Sequence, residues 1–224
     1  MFSLFKNTRS KNTDQLPNFW KVYEGLFKQS PVVDFQSKFI VIDTETTGFD
    51  YQNDRILCIG GVALTQGTIH VKESFEVYLI QDHYNSESTV IHGILKEEKI
   101  EKISEIEALE KFLAFIGNAP IIAHHAMFDV KMINKALERN GLPVLKNKLL
   151  DTVVLYKKSL LKSPLIEVKS NYSLDELADK FNLSKKDRHT ALGDAYITAL
   201  LFLKIHKKLK EKTGQVTIKK FFIN

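Results

Sequence analysis

The sequence contains a single cysteine, Cys58, and no long run of apolar residues. One cysteine excludes a disulfide within the chain and a zinc site built from cysteine thiolates. No apolar stretch approaches the ~20 residues that a membrane-spanning helix needs, and the first residues lack the apolar core of a secretory signal peptide. These absences predict a protein of a reducing compartment with no membrane partner, which we expect to be cytoplasmic.

The chain also lacks a large excess of positive or negative side chains. The 224 residues include 32 Lys and Arg against 27 Asp and Glu, a formal net charge of +5, which alone is a weak indication of a polyanionic partner. Hydrophobic residues make up 44% and charged residues 26% of the chain, so we expect a packed core and not intrinsic disorder. The length suits one α/β domain with an appendage at one end.

Hydrophobic periodicity divides the chain into three predicted parts. Residues 1–37 are polar with scattered aromatics and predict an N-terminal extension with one amphipathic helix over residues 17–29. That helix is expected to pack on the flank of the domain, the alternative being an arm that binds a partner. Residues 38–212 form the predicted main domain, and residues 213–224 form a C-terminal tail.

The main domain combines strands and helices in an order that predicts a mixed sheet. Strands are predicted over residues 38–43, 55–65, 68–80, 120–124 and 148–151, with a hairpin turn at Gln66-Gly67. Helices are predicted over residues 96–117, 128–139, 173–181 and 190–212, and residues 157–172 are predicted to form a loop. The pattern predicts an α/β fold with a mixed central sheet of about five strands flanked by helices.

An acidic pair stands at the end of the first predicted strand, in the run DTETTG of residues 43–48. Because side chains alternate across a strand, Asp43 and Glu45 share one face. Two neighbouring carboxylates repel each other, and a divalent cation removes the conflict because hard cations prefer carboxylate oxygens. The threonines and the glycine of this run offer hydroxyls and a permissive backbone to a sugar or phosphate. A lone acidic pair would instead indicate an exposed strand end.

Two further runs place acids near histidines. Asp129 ends the run HHAMFD near the start of a predicted helix, where alone it would simply satisfy the helix dipole. Asp194 ends the run HTALGD on an otherwise apolar helix, where a carboxylate is costly unless it is paired. His189 lies five residues before Asp194, and an imidazole there suits a general base. Four acids and a histidine suit two divalent ions ~3.5–4 Å apart that cleave a phosphodiester.

In order and spacing, the three runs resemble the motifs of the DEDD exonuclease superfamily, and the resemblance covers roughly residues 38–205. The histidine-type subclass, DEDDh, is indicated because the tyrosine type would have tyrosine where Thr190 stands. Within this superfamily, the motifs of the chain most resemble those of the proofreading epsilon subunits of bacterial DNA polymerase III and their free-standing relatives. The resemblance implies a ribonuclease H-like fold, two Mg²⁺ or Mn²⁺ ions, and 3′→5′ exonuclease activity that releases nucleoside 5′-monophosphates.

The resemblance also implies a role for each motif residue. Asp43, Glu45, Asp129 and Asp194 are the implied metal ligands, and His189 is the implied general base. The residues expected to contact the substrate are Thr44, Thr46, Thr47, Gly48, His124, His125 and Phe128. His125 is a departure, because the family usually has asparagine at that position.

Single-stranded or frayed 3′ ends of DNA are the favoured substrate, with an exoribonuclease of the same family as the alternative. The metal ligands cannot separate the two, because discrimination depends on sugar contacts around residues 45–49 and on the shape of the substrate groove. A non-catalytic nucleic-acid-binding module is a third hypothesis. It predicts the loss of an acid or of the histidine, and all five residues are present.

The C-terminal tail carries a short pattern with two interpretations. Residues 215–222 resemble the peptide that docks on sliding clamps, which would make a clamp or a polymerase a partner. Such short patterns recur by chance. The favoured alternative is a tail that folds back and buries Ile218, Phe221 and Phe222.

Overall fold

A computed structural model of the protein describes residues 15–29, 32–82, 94, 100–160 and 169–223. The strands are β1 (Lys38–Thr46), β2 (Ile56–Thr65), β3 (Thr68–Leu79), β4 (Lys102–Ile103), β5 (Ile121–Ala123) and β6 (Leu149–Asp151). The helices are α1 (Asn18–Gly25), α2 (Glu105–Ile116), α3 (Met127–Arg139), α4 (Thr152–Ser159), α5 (Leu174–Lys180) and α6 (Ala191–Thr213). A 3₁₀ turn, Ile218–Phe221, lies in the C-terminal tail.

The strands form one mixed sheet in the order β4-β3-β2-β1-β5-β6. Strands β1, β2 and β3 pair antiparallel, and β5 and β6 extend the sheet from β1 in parallel. The Gln66-Gly67 turn has φ values of 54° and 73°, as a two-residue hairpin of type I′ requires. The predicted α/β class with a mixed central sheet is confirmed, with six strands instead of about five.

The additional strand, β4, corrects the predicted helix over residues 96–117. Residues 102–103 pair in parallel with the end of β3, and the helix begins only at Glu105. Ser104 sets this start, because its side chain accepts a hydrogen bond from the backbone N–H of Glu107. Isoleucines at 100, 103 and 106 have helical spacing that crosses this boundary, so periodicity alone missed it. Residues 95–99 lie outside the described part of the chain.

Both faces of the sheet are covered by apolar layers, and β1 lies between them. Ile40 and Ile42 pack in the cluster that includes α2 and α3, whereas Phe39 and Val41 pack in the cluster that includes α4, α5 and α6. The next residues of β1 continue this alternation. The end of the strand can therefore present side chains to helices on either face.

The start of α6 lies directly against β2. A Cβ atom added at Gly60 would lie 2.2 Å from the backbone carbonyl carbon of Ala191, so only glycine allows this approach. Gly60 pairs with Asp43 of β1 across the sheet. The contact therefore brings the first turn of α6 next to the end of β1.

Helix α1 packs on the flank of the domain, as the favoured interpretation predicts. Trp20 and Tyr23 are buried, and the Tyr23 hydroxyl donates to the side-chain oxygen of Asn147 at 2.6 Å.

The C-terminal tail also packs on the domain. Ile218 is buried, Phe221 and Phe222 contact the same apolar cluster, and the Ile223 amide donates to the Leu149 carbonyl at 2.9 Å. These contacts favour the folded-back tail and give no support to clamp docking.

Helix α4 corrects the loop predicted over residues 157–172, because residues 157–159 are helical. The helix begins where the Asp151 side chain accepts a hydrogen bond from the Val153 amide at 2.7 Å. Residues 161–168 lie outside the described part. Within the described part, no helix combines the length and apolarity needed to cross a bilayer.

Candidate active site

Three carboxylates meet where β1 ends and α6 begins. Asp43 and Glu45 share one face of β1, as predicted, and Asp194 lies buried in the first turn of α6. One oxygen of each lies within 4.8 Å of the others. Their donor atoms are all hard oxygens, which suits Mg²⁺ or Mn²⁺ better than soft metals.

Asp129 approaches the end of β1 from the opposite face of the sheet. It lies in the first turn of α3 and is 3% exposed. The hydroxyl of Thr44, which points to that face, donates to the Asp129 carboxylate at 2.8 Å. Asp129 repels Asp43 electrostatically although it lies outside the group of three. The fold thus brings all four predicted metal ligands to one end of β1, and three of them have oxygens within 4.8 Å of one another.

The electrostatics of this cluster oppose ionisation. Burial raises the pKa of Asp43 well above its usual range, and repulsion from Asp129, Asp194 and Glu45 adds to the shift. Burial, followed by repulsion from Asp194, raises the pKa of Glu45 to about 7. Burial also raises the pKa of Asp129 to about 7, against the hydrogen bond from Thr44. Divalent cations would offset this concentrated negative charge, so the residues fit a metal site.

Arg188, which the sequence analysis did not single out, places a cation at the cluster. Its Nη1 donates to the Asp194 carboxylate, and its Nε and Nη2 donate to the two oxygens of Asp175 at 2.9 and 2.8 Å. A signal was available, since arginine directly precedes the histidine of the third motif. Its partner could not be read from the sequence, because Asp175 lies 13 residues earlier.

His189 lies beside the cluster with its side chain exposed to solvent. Its backbone N–H donates to the second oxygen of Asp194 at 3.3 Å, and its φ is 66°. The next residue, Thr190, caps α6 through the Gly193 amide. This capped turn places the predicted base at the rim of the acidic cluster.

The threonines of the first motif are engaged within the protein. The Thr46 hydroxyl donates to the Gly48 carbonyl, and the Thr47 hydroxyl donates to Asp54, both at 2.7 Å. A Cβ atom added at Gly48 would lie 2.4 Å from an oxygen of Asp54. Asp54, which the sequence did not single out, therefore holds the loop that follows β1.

Both histidines of the second motif contact the same backbone carbonyl group. The Nε2 atoms of His124 and His125 lie 2.9 and 3.1 Å from the carbonyl oxygen of Tyr172, and His124 Nδ1 lies 2.8 Å from the Thr152 hydroxyl. Burial, with repulsion from His125, lowers the pKa of His124 to about 4. A neutral His124 protonated on Nε2 satisfies both contacts. These rings therefore connect the second motif to the segment before α5.

Phe128 belongs to an aromatic surface next to Asp129. Its ring centroid lies 5.7 Å from that of Phe49 and 5.8 Å from that of Tyr51. Phe49 is 80% exposed, and the Lys131 ammonium lies 5.0 Å from the centre of the Tyr51 ring. The sequence pointed to Phe128 and, through the sugar contacts expected around residues 45–49, to the position of Phe49, whereas Tyr51 was missed.

Comparison with known proteins is consistent with this geometry. A family model described as Exonuclease (RNase_T) matches residues 40–202. The chain is 36% identical over 179 residues to a DNA polymerase III PolC-type of Caldanaerobacter subterraneus subsp. tengcongensis, and 35% identical over 173 residues to that of Thermotoga petrophila. The matches cover 79% and 77% of this chain. The chain spans only 12% of the length of either relative.

Two solved structures have similar folds. Exonuclease X in complex with 5′ overhanging duplex DNA has a TM-score of 0.60 at 23% identity, covering 82% of this chain and 97% of that one. Escherichia coli Exonuclease I in complex with a dT13 oligonucleotide has a TM-score of 0.68 at 17% identity, covering 80% of this chain and 43% of that one. With the mixed sheet, they show a ribonuclease H-like fold. The chain therefore belongs to the exonuclease family, within the DEDD superfamily that its three motifs resemble.

Proposed function

We propose that this protein is a metal-dependent 3′→5′ exonuclease of the histidine type that acts on DNA. The observation that carries the proposal is the convergence of Asp43, Glu45 and Asp194 within 4.8 Å, with Asp129 on the opposite face of β1. Two Mg²⁺ or Mn²⁺ ions are the proposed cofactors. Buried carboxylates that repel one another support this choice, because bound cations would offset the negative charge that such a cluster concentrates.

The proposed reaction assigns a separate task to each part of the site. Divalent cations held by Asp43, Glu45, Asp129 and Asp194 would supply Lewis acidity to the scissile phosphate and to the attacking water. His189 accepts the proton of that water, for which an exposed imidazole at the rim of the cluster is suited. The water oxygen bonds to phosphorus while the bond to the 3′ oxygen of the preceding nucleotide breaks. A nucleoside 5′-monophosphate leaves, and the released 3′ oxygen of the shortened strand takes a proton from solvent to become a hydroxyl.

The aromatic surface supports a substrate with unpaired bases. Phe49 exposes most of its ring beside Phe128, and Phe128 directly precedes the metal ligand Asp129. Bases stack on such faces, and each stacked base is worth roughly 1–3 kcal/mol. A single-stranded or frayed 3′ end could place its last bases here while the terminal phosphodiester reaches the acidic cluster.

The choice of DNA over RNA rests on the relatives. The 36% identical relative is a DNA polymerase III PolC-type, and the two fold neighbours were solved with DNA. An exoribonuclease of the same family remains the second candidate, because the carboxylates serve either substrate equally. A polymerase partner would be consistent with the PolC-type relatives, but no contact in the described residues supports a polymerase or a clamp.

Cleavage of matched 5′-labelled DNA and RNA oligomers, with Mg²⁺, Mn²⁺ or EDTA, tests the proposal. The expected result is a metal-dependent ladder that shortens from the 3′ end, faster on DNA. A faster ladder on RNA would select the exoribonuclease. No ladder on either substrate would favour a binding module.

Two variants make the cleavage test specific to the site. Asp43→Ala removes a proposed ligand and relieves repulsion, so it should abolish the ladder while the protein stays folded. Glu110→Gln changes an exposed acid of α2 and should leave the ladder intact. Full activity of Asp43→Ala would refute the metal assignment.

A further inference from the structure

The guanidinium of Arg188 connects an acid at the rim of the site to an acid inside it. Two of its nitrogens donate to both oxygens of Asp175, and the third donates to Oδ2 of Asp194. The Arg188 side chain is 13% exposed, the Asp194 side chain 9%, and the Asp175 side chain 45%. One side chain thus spans the boundary between solvent and the acidic cluster.

The Asp175 contact fixes the guanidinium from outside the cluster. Both carboxylate oxygens accept a hydrogen bond, which is the planar fork geometry that makes an arginine pair strong and directional. Asp175 lies in the first turn of α5, where Ser173 and Glu176 complete a capping box. The arginine is therefore held by a capped helix start that carries none of the proposed ligands.

The Asp194 contact places a positive charge beside the cluster of carboxylates. Among the described residues, Arg188 is the only lysine or arginine that forms an ion pair with Asp43, Glu45 or Asp194. Its charge opposes the upward pKa shifts of all three carboxyls. The other oxygen of Asp194 accepts from the backbone of His189. A metal ion bound to Asp194 would thus compete with the guanidinium for Oδ2.

We propose that Arg188 pairs with Asp194 in the metal-free protein and yields this carboxylate to a divalent cation while keeping Asp175. The retained fork then leaves Nη1 beside the cluster, with a free N–H to donate to a phosphate oxygen of the substrate. The inference rests on the proposed metal site, and the competition between Arg188 and the metal ion does not depend on the substrate or on the direction of cleavage.

Mn²⁺ titration calorimetry without nucleic acid tests the competition directly. Arg188→Gln removes the competing cation and makes the cluster more negative, so Mn²⁺ should bind about tenfold more tightly than to the wild type. The EDTA-treated variant should also melt at a lower temperature, and Mn²⁺ should restore it. Lys185→Gln is the matched control, because Lys185 lies in the same loop as Arg188 and pairs at the surface with Asp179 of α5. This variant should bind Mn²⁺ as the wild type does.

A second pair of variants tests the tether and does not depend on Arg188→Gln folding. Asp175→Asn breaks the fork but keeps the arginine charge, so Mn²⁺ affinity should stay within about twofold while kcat falls about tenfold at unchanged KM. Arg188→Lys should behave likewise, because it keeps the charge without the fork.

Each outcome has a definite meaning. Wild-type or weaker Mn²⁺ affinity in a folded Arg188→Gln would overturn the competition, and unchanged kcat in Asp175→Asn would overturn the tether. Absence of Mn²⁺ binding to the wild type would overturn the inference together with the metal site. If the wild type binds Mn²⁺ but cleaves no oligomer, the proposed function fails while the competition result stands.

Discussion

Replacement of Glu45 by glutamine is expected to stabilise the metal-free protein at alkaline pH. Burial and the neighbouring Asp194 raise the pKa of Glu45 in the folded protein from 4.5 to about 7. Between these values the folded state holds a proton that the unfolded state has lost, so stability falls as the pH rises through this window. Above about pH 7 both states are ionised, and the folded state carries the full cost of the buried charge.

The magnitude follows from the size of this pKa difference. A rise from 4.5 to about 7 corresponds to about 3 kcal/mol of destabilisation. Because Glu45 is only partly buried, solvent screening reduces this, and we expect about 2 kcal/mol. The glutamine variant keeps the shape of the side chain and never carries the charge. It should therefore be more stable than the wild type by that amount at about pH 8, and by less than about 1 kcal/mol at about pH 5.

Urea unfolding of the wild type and of Glu45→Gln, in EDTA at about pH 5 and about pH 8, measures the difference in their free energies of unfolding. Comparison with the wild type at each pH cancels the opposite contribution of His124, whose lowered pKa makes stability rise with pH. Glu110→Gln, an exposed acid, should show no pH-dependent difference. A Glu45→Gln difference of equal size at both pH values, or a less stable variant at about pH 8, would refute the electrostatic account.

Three further predictions concern catalysis, binding and folding. His189→Ala should keep Mn²⁺ affinity and slow cleavage by about 10²–10⁴-fold; a normal single-turnover rate would argue against the general base. Phe49→Ala should weaken binding of a single-stranded oligomer by about tenfold in fluorescence anisotropy without a change in melting temperature, because its ring is exposed; unchanged affinity would remove it from the substrate surface. Gly193→Ala should destabilise the start of α6, since its Cβ would lie 1.9 Å from the Asp187 carbonyl oxygen; an unchanged circular dichroism melt would contradict this packing.

The sequence predicted those site features that depend on local periodicity. Asp43 and Glu45 are two residues apart in a strand, so the alternation of side chains placed them together. The apolar spacing around Asp194 predicted its helix. In each case the interaction lies within one element or one turn.

Features that depend on contacts between distant segments were not predictable from the sequence. The Thr44–Asp129 hydrogen bond joins β1 to α3 across 85 residues, and the Arg188–Asp175 pair joins a loop to α5. Asp54 supports the first motif through a loop that has no periodicity. Such pairings follow from the sheet order and from close backbone approach, as at Gly60, and no local pattern specifies them.

The central claim is that divalent cations bind at the end of β1 to the four acidic residues. Anomalous diffraction from crystals soaked in Mn²⁺ tests it most directly. The account predicts two anomalous peaks ~3.5–4 Å apart, bound by Asp43, Glu45, Asp129 and Asp194, with Arg188 turned from Asp194 and still paired to Asp175. Crystals with no peak at this cluster, or with Mn²⁺ bound only elsewhere, would contradict the account.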